Sequence, residues 1–294
     1  MRRTAVVAIL IIIVLFLFSF GSSFILKNVD LQDQIAIIPI SGALVMGNGD
    51  GIISQPHMSS DTLVEYIESA DANKNVKAII LEINSPGGTA LASKEVAHAV
   101  KRVNKPVIAL IREVGASGAY WVASSSDVIV ADEVSITGSI GVIGSYLEFS
   151  GLMELYGVDY ERLVGGKYKD MGSSYKDLTP EERTLLQKKI NLIHELFIQE
   201  VKTNRNITEG EWREGLFYLG SEAKELGLID VLGGRDKAIS IAKERSGIKD
   251  AELVVLRQEV PLIDRLRSLA THIGYGMGMS FKFKSDSETQ ILLQ

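Results

Sequence analysis

The sequence predicts an α/β fold built on a parallel sheet and preceded by an apolar N-terminal span. Three observations carry this. Short aliphatic runs recur and alternate with amphipathic stretches of helical period, most of the runs end at a turn rich in glycine or small residues, and the chain opens with a stretch from Ala5 to Leu26 that is almost wholly apolar. Strand, helix, strand, helix at this spacing is the pattern of parallel strands joined by right-handed crossovers. A chain of 294 residues with 46% hydrophobic residues has ample material for a buried core.

The N-terminal run is broken only by Ser19 and Gly21-Ser22-Ser23, and a bilayer core needs roughly 20 such residues as helix. Arg2 and Arg3 precede it, whereas Asp30 and Asp33 follow. Positive-inside bias then puts residues 1–4 in the cytoplasm and everything after Lys27 outside, as a single-pass protein of the cell membrane. The small residues near Gly21 also fit a cleaved signal peptide. The return to apolar residues at Phe24-Ile25-Leu26 favours a retained anchor over residues 5–26, with residues 27–33 as a linker.

A net charge of -6 and the lack of a basic stripe argue against nucleic acid as a partner. No cysteine is present, which excludes disulfides, thiol catalysis and cysteine-ligated zinc, and leaves the redox compartment open. No cluster of His, Asp and Glu has metal-ligand spacing, so neither a metal nor a cofactor is expected.

The domain spans 34–250. Gln34 to Gly42 carries Ile35, Ile37, Ile38 and Ile40 and forms the first strand; Gly47 to Ser54 is a glycine-rich loop, and Ser59-Ser60-Asp61 starts a helix over Leu63 to Ala70. Val76 to Ile83 is a buried strand that runs into Asn84-Ser85-Pro86-Gly87-Gly88. The helix beginning at Thr89 gathers Leu91, Val96, Val100 and Val103 near one face and returns the chain to a strand at Val107 to Ile111.

That strand stops at Gly115-Ala116-Ser117-Gly118-Ala119, before a short helix over Ala119 to Ala123. Small residues on both sides permit a sharp turn and close approach of a substrate carbonyl to Ser117 Oγ, as in a nucleophile elbow. The Gly118 N–H, at a helix N-terminus, can face a developing oxyanion. Gly88 ends the other glycine-rich strand and can face Gly118 across the crevice at the carboxyl ends of the strands. Taken alone, the turn serves equally as a strand-to-helix connection with Ser117 as its N-cap.

Asp127 to Ala131 is a further strand, and the loop from Thr137 to Gly144 carries Ser139, by itself a turn residue between glycines. Tyr160 to Val164 is predicted as a strand leading into Gly165-Gly166-Lys167-Tyr168-Lys169-Asp170. A lysine acting as base must be neutral, which means lowering its pKa from about 10.4 toward 7, on the order of 4–5 kcal/mol. Lys167 and Lys169 lie two apart on an extended chain and point the same way, so pattern alone leaves both open.

A histidine triad is the rival within nucleophilic catalysis. His98 and His194 fall inside helical patterns, and neither His57 nor His272 is paired with a carboxylate at a recognisable motif.

Thr179-Pro180-Glu181-Glu182 is a strong helix start, followed by Leu186, Ile190, Ile193, Phe197 and Val201 at helical spacing. Asn206-Ile207-Thr208 is a formal glycosylation sequon that overlaps a second capping-box pattern at Thr208 to Glu211, and the cap is the preferred reading. A last helix spans Arg235 to Arg245. Residues 251–294 form a partly mobile tail, with a short amphipathic helix possible over Pro261 to Leu269. It either enters a substrate groove, in its own or a neighbouring subunit, as an inhibitory or self-processed segment or simply ends the chain.

Four motifs occur in order: Ser85-Pro86-Gly87-Gly88, Gly115-Ala116-Ser117-Gly118-Ala119, Gly138-Ser139-Ile140-Gly141-Val142 and Gly166-Lys167-Tyr168-Lys169-Asp170. Through them the chain resembles the bacterial signal peptide peptidase A family in its short, single-repeat form, from about Gln34 to about Ile248. Gly215 to Asp230 resembles that family's C-terminal signature.

The resemblance implies a Clp-protease/crotonase fold, a repeated β-β-α superhelix, and a serine/lysine endopeptidase. It implies Ser117 as nucleophile, Lys169 as general base by its distance from Ser117, Ser139 as the hydroxyl that orients the lysine, and Gly88 and Gly118 as backbone oxyanion donors. It further implies a ring-like homo-octamer with active sites shared between neighbours, and substrates that are released signal peptides and other apolar extended peptides. Two other readings stand beside it: a crotonase-like enzyme that acts on acyl-thioesters and binds coenzyme A, and a non-catalytic membrane scaffold.

Overall fold

The computed structural model describes residues 32–47 and 57–257. The apolar span at Ala5 to Leu26, most of the loop after Gly47 and nearly all of the tail lie outside the described residues. Among the described residues, no helix is long and apolar enough to cross a membrane.

The elements follow one another as β1 (Gln34–Ser41), β2 (Ala43–Val45), β3 (His57–Ser59), α1 (Ser60–Ala72), β4 (Val76–Ser85), α2 (Ala90–Arg102), β5 (Val107–Ala116), α3 (Gly118–Ser124), β6 (Val128–Ala131) and β7 (Ile136–Gly138). Then come α4 (Ser150–Leu155), α5 (Pro180–Arg205), a single 3-10 turn (Glu211–Glu214), β8 (Phe217–Leu219), α6 (Gly220–Glu225), β9 (Val231–Leu232), α7 (Arg235–Ser246) and β10 (Glu252–Val255). The main sheet runs β10-β1-β4-β5-β6-β9, with neighbouring strands parallel.

The period of two in the aliphatic runs separates two cores. Ala36, Ile38 and Ile40 of β1, Ile79, Leu81 and Ile83 of β4, and Ala109 and Ile111 of β5 join one cluster with side chains of α1, α2, α3 and α5. The alternate residues, Ile35 and Ile37, Ala78 and Ile80, Ile108 and Leu110, pack on the other face with Ala238, Ile241 and Ala242 of α7. A sheet covered on both faces needs near-continuous apolar strands, which is why Ile35 to Ile38, Ala78 to Leu81 and Val107 to Ile111 carry no polar residue.

β5 is the strand that places the site. Its first half pairs with β6 through Ile108 to Ile111, and its last three residues pair instead with β7, Val114 opposite Ile136 and Ala116 opposite Gly138. β7 in turn pairs antiparallel with β8. The end of β5 is therefore held by strands of its own.

Three expectations change. Tyr160 to Val164 is not a strand: in the single chain it is largely exposed, Leu163 at 89%, with no strand beside it to take its backbone hydrogen bonds. Thr208 does not cap a helix; Gly210 precedes the turn at Glu211–Glu214, and the Thr208 carbonyl instead accepts from Trp212 Nε1 at 2.9 Å. Glu252–Val255, assigned above to the tail, adds a strand to the β1 edge. The Thr179 cap forms as expected, its hydroxyl accepting from Glu182 N and its own N–H donating to the Glu182 carboxylate.

Candidate active site

Ser117 sits between β5 and α3 at φ 52, ψ -125, a conformation that non-glycine residues rarely adopt. Its neighbours hold it there. Ser117 N donates to the Gly138 carbonyl at 2.8 Å, and Trp121 N closes the first turn of α3 on the Ser117 carbonyl at 3.0 Å. Thr137 Oγ1 donates to the Gly115 carbonyl at 2.8 Å. Strain of this kind, of order 1–3 kcal/mol, persists only where the surroundings over-determine it.

Ser117 and Ser139 each follow the last paired residues of β5 and β7, Ala116 opposite Gly138. Ser139 also has positive φ, 51°, and its N–H donates to the Leu216 carbonyl at 2.7 Å. A serine at positive φ thus follows the end of each of the two paired strands.

The Gly87-Gly88 turn closes on the elbow from the β4 side. Gly88 bridges to Leu44 of β2: Leu44 N donates to the Gly87 carbonyl at 2.8 Å, and Thr89 N donates to the Leu44 carbonyl at 2.9 Å. In a parallel bridge of this kind the N–H of Gly88 itself points away from Leu44. A Cβ added at Gly118 would lie 3.2 Å from Gly88 N, so the Gly88 turn packs directly against the start of α3. The Gly118 N–H belongs to the first turn of a helix, where no intrahelical acceptor exists.

The glycines are enforced by their surroundings. A Cβ on Gly118 would meet Ser93 Oγ at 2.1 Å, and one on Gly88 would meet the Leu44 carbonyl oxygen at 2.0 Å. Gly87 has φ +106, and a Cβ there would approach Gly118 N to 2.7 Å.

Ser85 and Gly87, present in the first motif, had no role of their own in the sequence, and Ser93 did not stand out at all. Fully buried Ser85 accepts from Gly87 N at 3.1 Å and donates to the Gly42 carbonyl at 2.6 Å, fixing the turn. The signal was present in Ser85-Pro86-Gly87, a serine two residues before a glycine, which is a side-chain-closed turn. Ser93 is one helical turn into α2, and nothing in the sequence marks it.

Lys169 is not brought to Ser117 in the single chain. It lies exposed in a turn, its N–H donating to the Gly166 carbonyl at 3.1 Å. The two lysines left open above are now distinct. Lys167 is ion-paired with Glu181 at 2.6 Å, and that hydrogen bond pushes its pKa up to about 12, the wrong direction for a base. Beside Lys169, Asp170 is gripped by the Arg162 guanidinium, which holds its carboxyl down to about 2.

Two of the histidines sit on helices as expected: His98 Nε2 is 3.3 Å from Glu200 Oε1, and His194 Nε2 is 3.0 Å from the Ile140 carbonyl, while His272 lies outside the described residues.

The model of peptidase family S49 matches residues 99–249. A protease-named protein of Methanocaldococcus jannaschii is 31% identical over 287 residues, 92% of each chain. The chloroplastic serine protease SPPA of Arabidopsis thaliana is 34% identical over 252 residues, which is 82% of this chain and 37% of that protein. Protease 4 of Haemophilus influenzae is 28% identical, and this chain spans 36% of its length. Among solved structures, two mutants of the 1510-N membrane-bound stomatin-specific protease, one in complex with a substrate peptide, share the fold at a TM-score of 0.51 and 16% identity. They cover 78% and 82% of this chain and 99% of their own.

Proposed function

Because this chain belongs to peptidase family S49 and is a serine peptidase, we propose that it is a membrane-anchored endopeptidase in which Ser117 and Lys169 form the catalytic dyad through an acyl-enzyme. The observation that carries the reading is the elbow: a serine at φ 52 followed by Gly118, against which the Gly87-Gly88 turn packs closely. Ser117 Oγ attacks the peptide carbonyl, the uncharged Lys169 amine takes its proton and later delivers one to the leaving amine, and the N–H groups of Gly88 and Gly118 hold the oxyanion. Ser139, which follows the residue whose carbonyl accepts from Ser117 N, orients the lysine in this reading.

In this reading Lys169 comes from a neighbouring copy. The segment that bears it is apolar and exposed in the single chain, with Ile143 93%, Leu147 72% and Leu163 89% accessible. Assembly into a ring, read here as an octamer, would cover those side chains and supply the low-dielectric setting that a neutral lysine requires. We read the fold as the Clp-protease/crotonase type, residues 5–26 as the anchor, and released signal peptides and other apolar extended peptides as the substrates. A catalytic domain held beside the bilayer meets such peptides first.

The test is cleavage of a leucine- and alanine-rich fluorogenic peptide by the detergent-solubilised full chain. Loss of activity in both Ser117→Ala and Lys169→Ala, with assembly intact, supports the dyad. Activity that survives Lys169→Ala rejects Lys169 as the base, and activity that survives both overturns the reading.

A further inference from the structure

Glu200, on α5, is not in the elbow but touches the two helices that begin there. Its Oε2 accepts from Trp121 Nε1 at 2.7 Å, and Trp121 lies in α3, one turn after Ser117. Its Oε1 lies 3.3 Å from His98 Nε2 and 3.5 Å from Lys94 Nζ, both on α2. Trp121 is almost fully buried and stacked on Phe197, also of α5, with ring centroids 4.3 Å apart and planes within 8°. One carboxylate therefore ties α2 and α3 to the same helix.

Those are the helices whose starts set the positions of the Gly88 and Gly118 peptide nitrogens. α2 begins immediately after Gly88-Thr89, and α3 begins at Gly118. Between them the packing is close: Ser93 of α2, next to Lys94, is the side chain that a Cβ on Gly118 would strike. Sliding α3 against α2 by even a fraction of an ångström changes the separation of the nitrogens. Oxyanion donors act only within about 2.7–3.1 Å of the developing charge.

We propose that Glu200 is a positioning residue for the oxyanion pair, acting through Trp121 on α3 and through Lys94 and His98 on α2. The inference rests on the reading of Gly88 and Gly118 as oxyanion donors. It assigns Glu200 no contact with substrate. Its effect is on the transition state, where the donors engage, and not on ground-state binding of the peptide, so it appears in kcat.

The experiment compares the full chain in detergent with its Glu200→Ala, Glu200→Gln and Trp121→Phe variants, following apolar-peptide cleavage and thermal melting. Glu200→Ala and Trp121→Phe should each lower kcat by about tenfold to a hundredfold, less than or similar to losing one donor outright, with KM within about twofold. Glu200→Gln keeps an acceptor for Trp121 Nε1 and should recover most of the loss. Lys105→Ala serves as the stability control: Lys105 donates to the Ala70 and Asn73 carbonyls at 2.8 and 2.6 Å, away from the site, and its loss should lower the melting temperature without changing kcat.

Ser117-dependent cleavage with kcat unchanged in Glu200→Ala and Trp121→Phe overturns the inference alone. So does a kcat loss that follows the melting temperature equally in Lys105→Ala. Trp121→Phe keeps the stacking ring and serves if Glu200→Ala fails to fold. A wild-type chain that cleaves no peptide, or cleaves it equally well with Ser117→Ala, overturns the reading of the site and this inference with it.

Discussion

Ser117 N donates to the Gly138 carbonyl at 2.8 Å, and this bond ties the elbow to the last residue of β7, immediately before Ser139. It stabilises a backbone conformation that serine avoids. Gly88 and Gly118 then come together because neither has a side chain to keep the turns apart.

On the proposed reading of Gly88 and Gly118 as oxyanion donors, alanine at either position should separate them. In Gly118→Ala the new methyl meets a side-chain oxygen, Ser93 Oγ, and in Gly88→Ala it meets the Leu44 main chain. A side chain yields more readily than backbone. We expect kcat to fall by about a hundredfold or more in both, and stability to fall by about 1–3 kcal/mol for Gly118→Ala and more for Gly88→Ala. Steady-state kinetics and urea unfolding on the same preparations check the order.

The floor of α3 makes a separable prediction. The Tyr120 hydroxyl, fully buried, donates to the Leu228 carbonyl at 2.7 Å, and burial pushes its pKa up, so it remains a donor at every working pH. Tyr120→Phe leaves that carbonyl unpaired and should cost about 1–3 kcal/mol in urea unfolding. Because the ring and the helix stay in place, kcat should change by less than about twofold at 25 °C.

The turn that carries Lys169 should respond to acid before the core does. Arg162 holds the folded Asp170 pKa at about 2, below the unfolded value of about 3.9. Its stabilisation is therefore complete above about pH 4 and is lost as the pH falls through about 2. Amide exchange across residues 165–172 should rise in that window. At neutral pH, Asp170→Asn should reproduce the loosening and lower kcat by about tenfold, since small misplacements of a catalytic group are costly.

Much of the fold was legible where aliphatic runs and caps coincide. The strands at Val76, Val107 and Val128 and the reciprocal Thr179–Glu182 cap follow from local chemistry, and the structure has them. The short β7–β8 pair was not legible: Ile136–Gly138 and Phe217–Leu219 are three residues each, far apart in the chain, and too brief to show a period. Tyr160 to Val164 failed for the opposite reason. Its composition favours a strand, but a strand needs a partner, and the single chain offers none. At the site, the glycines and Ser117 stood out as motifs, whereas Ser93 and Glu200 are ordinary helix residues that matter only through what the sheet brings against them.

The most direct test of the shared dyad is to mix Ser117→Ala and Lys169→Ala chains, each inactive alone, in equal amounts under conditions that allow subunits to exchange, and to measure peptide cleavage. If the nucleophile and base come from neighbouring copies, a mixed ring contains intact pairs, and activity should return to about a quarter of the wild-type rate. Activity that stays at the level of the separate variants after exchange is verified would contradict a site shared between copies.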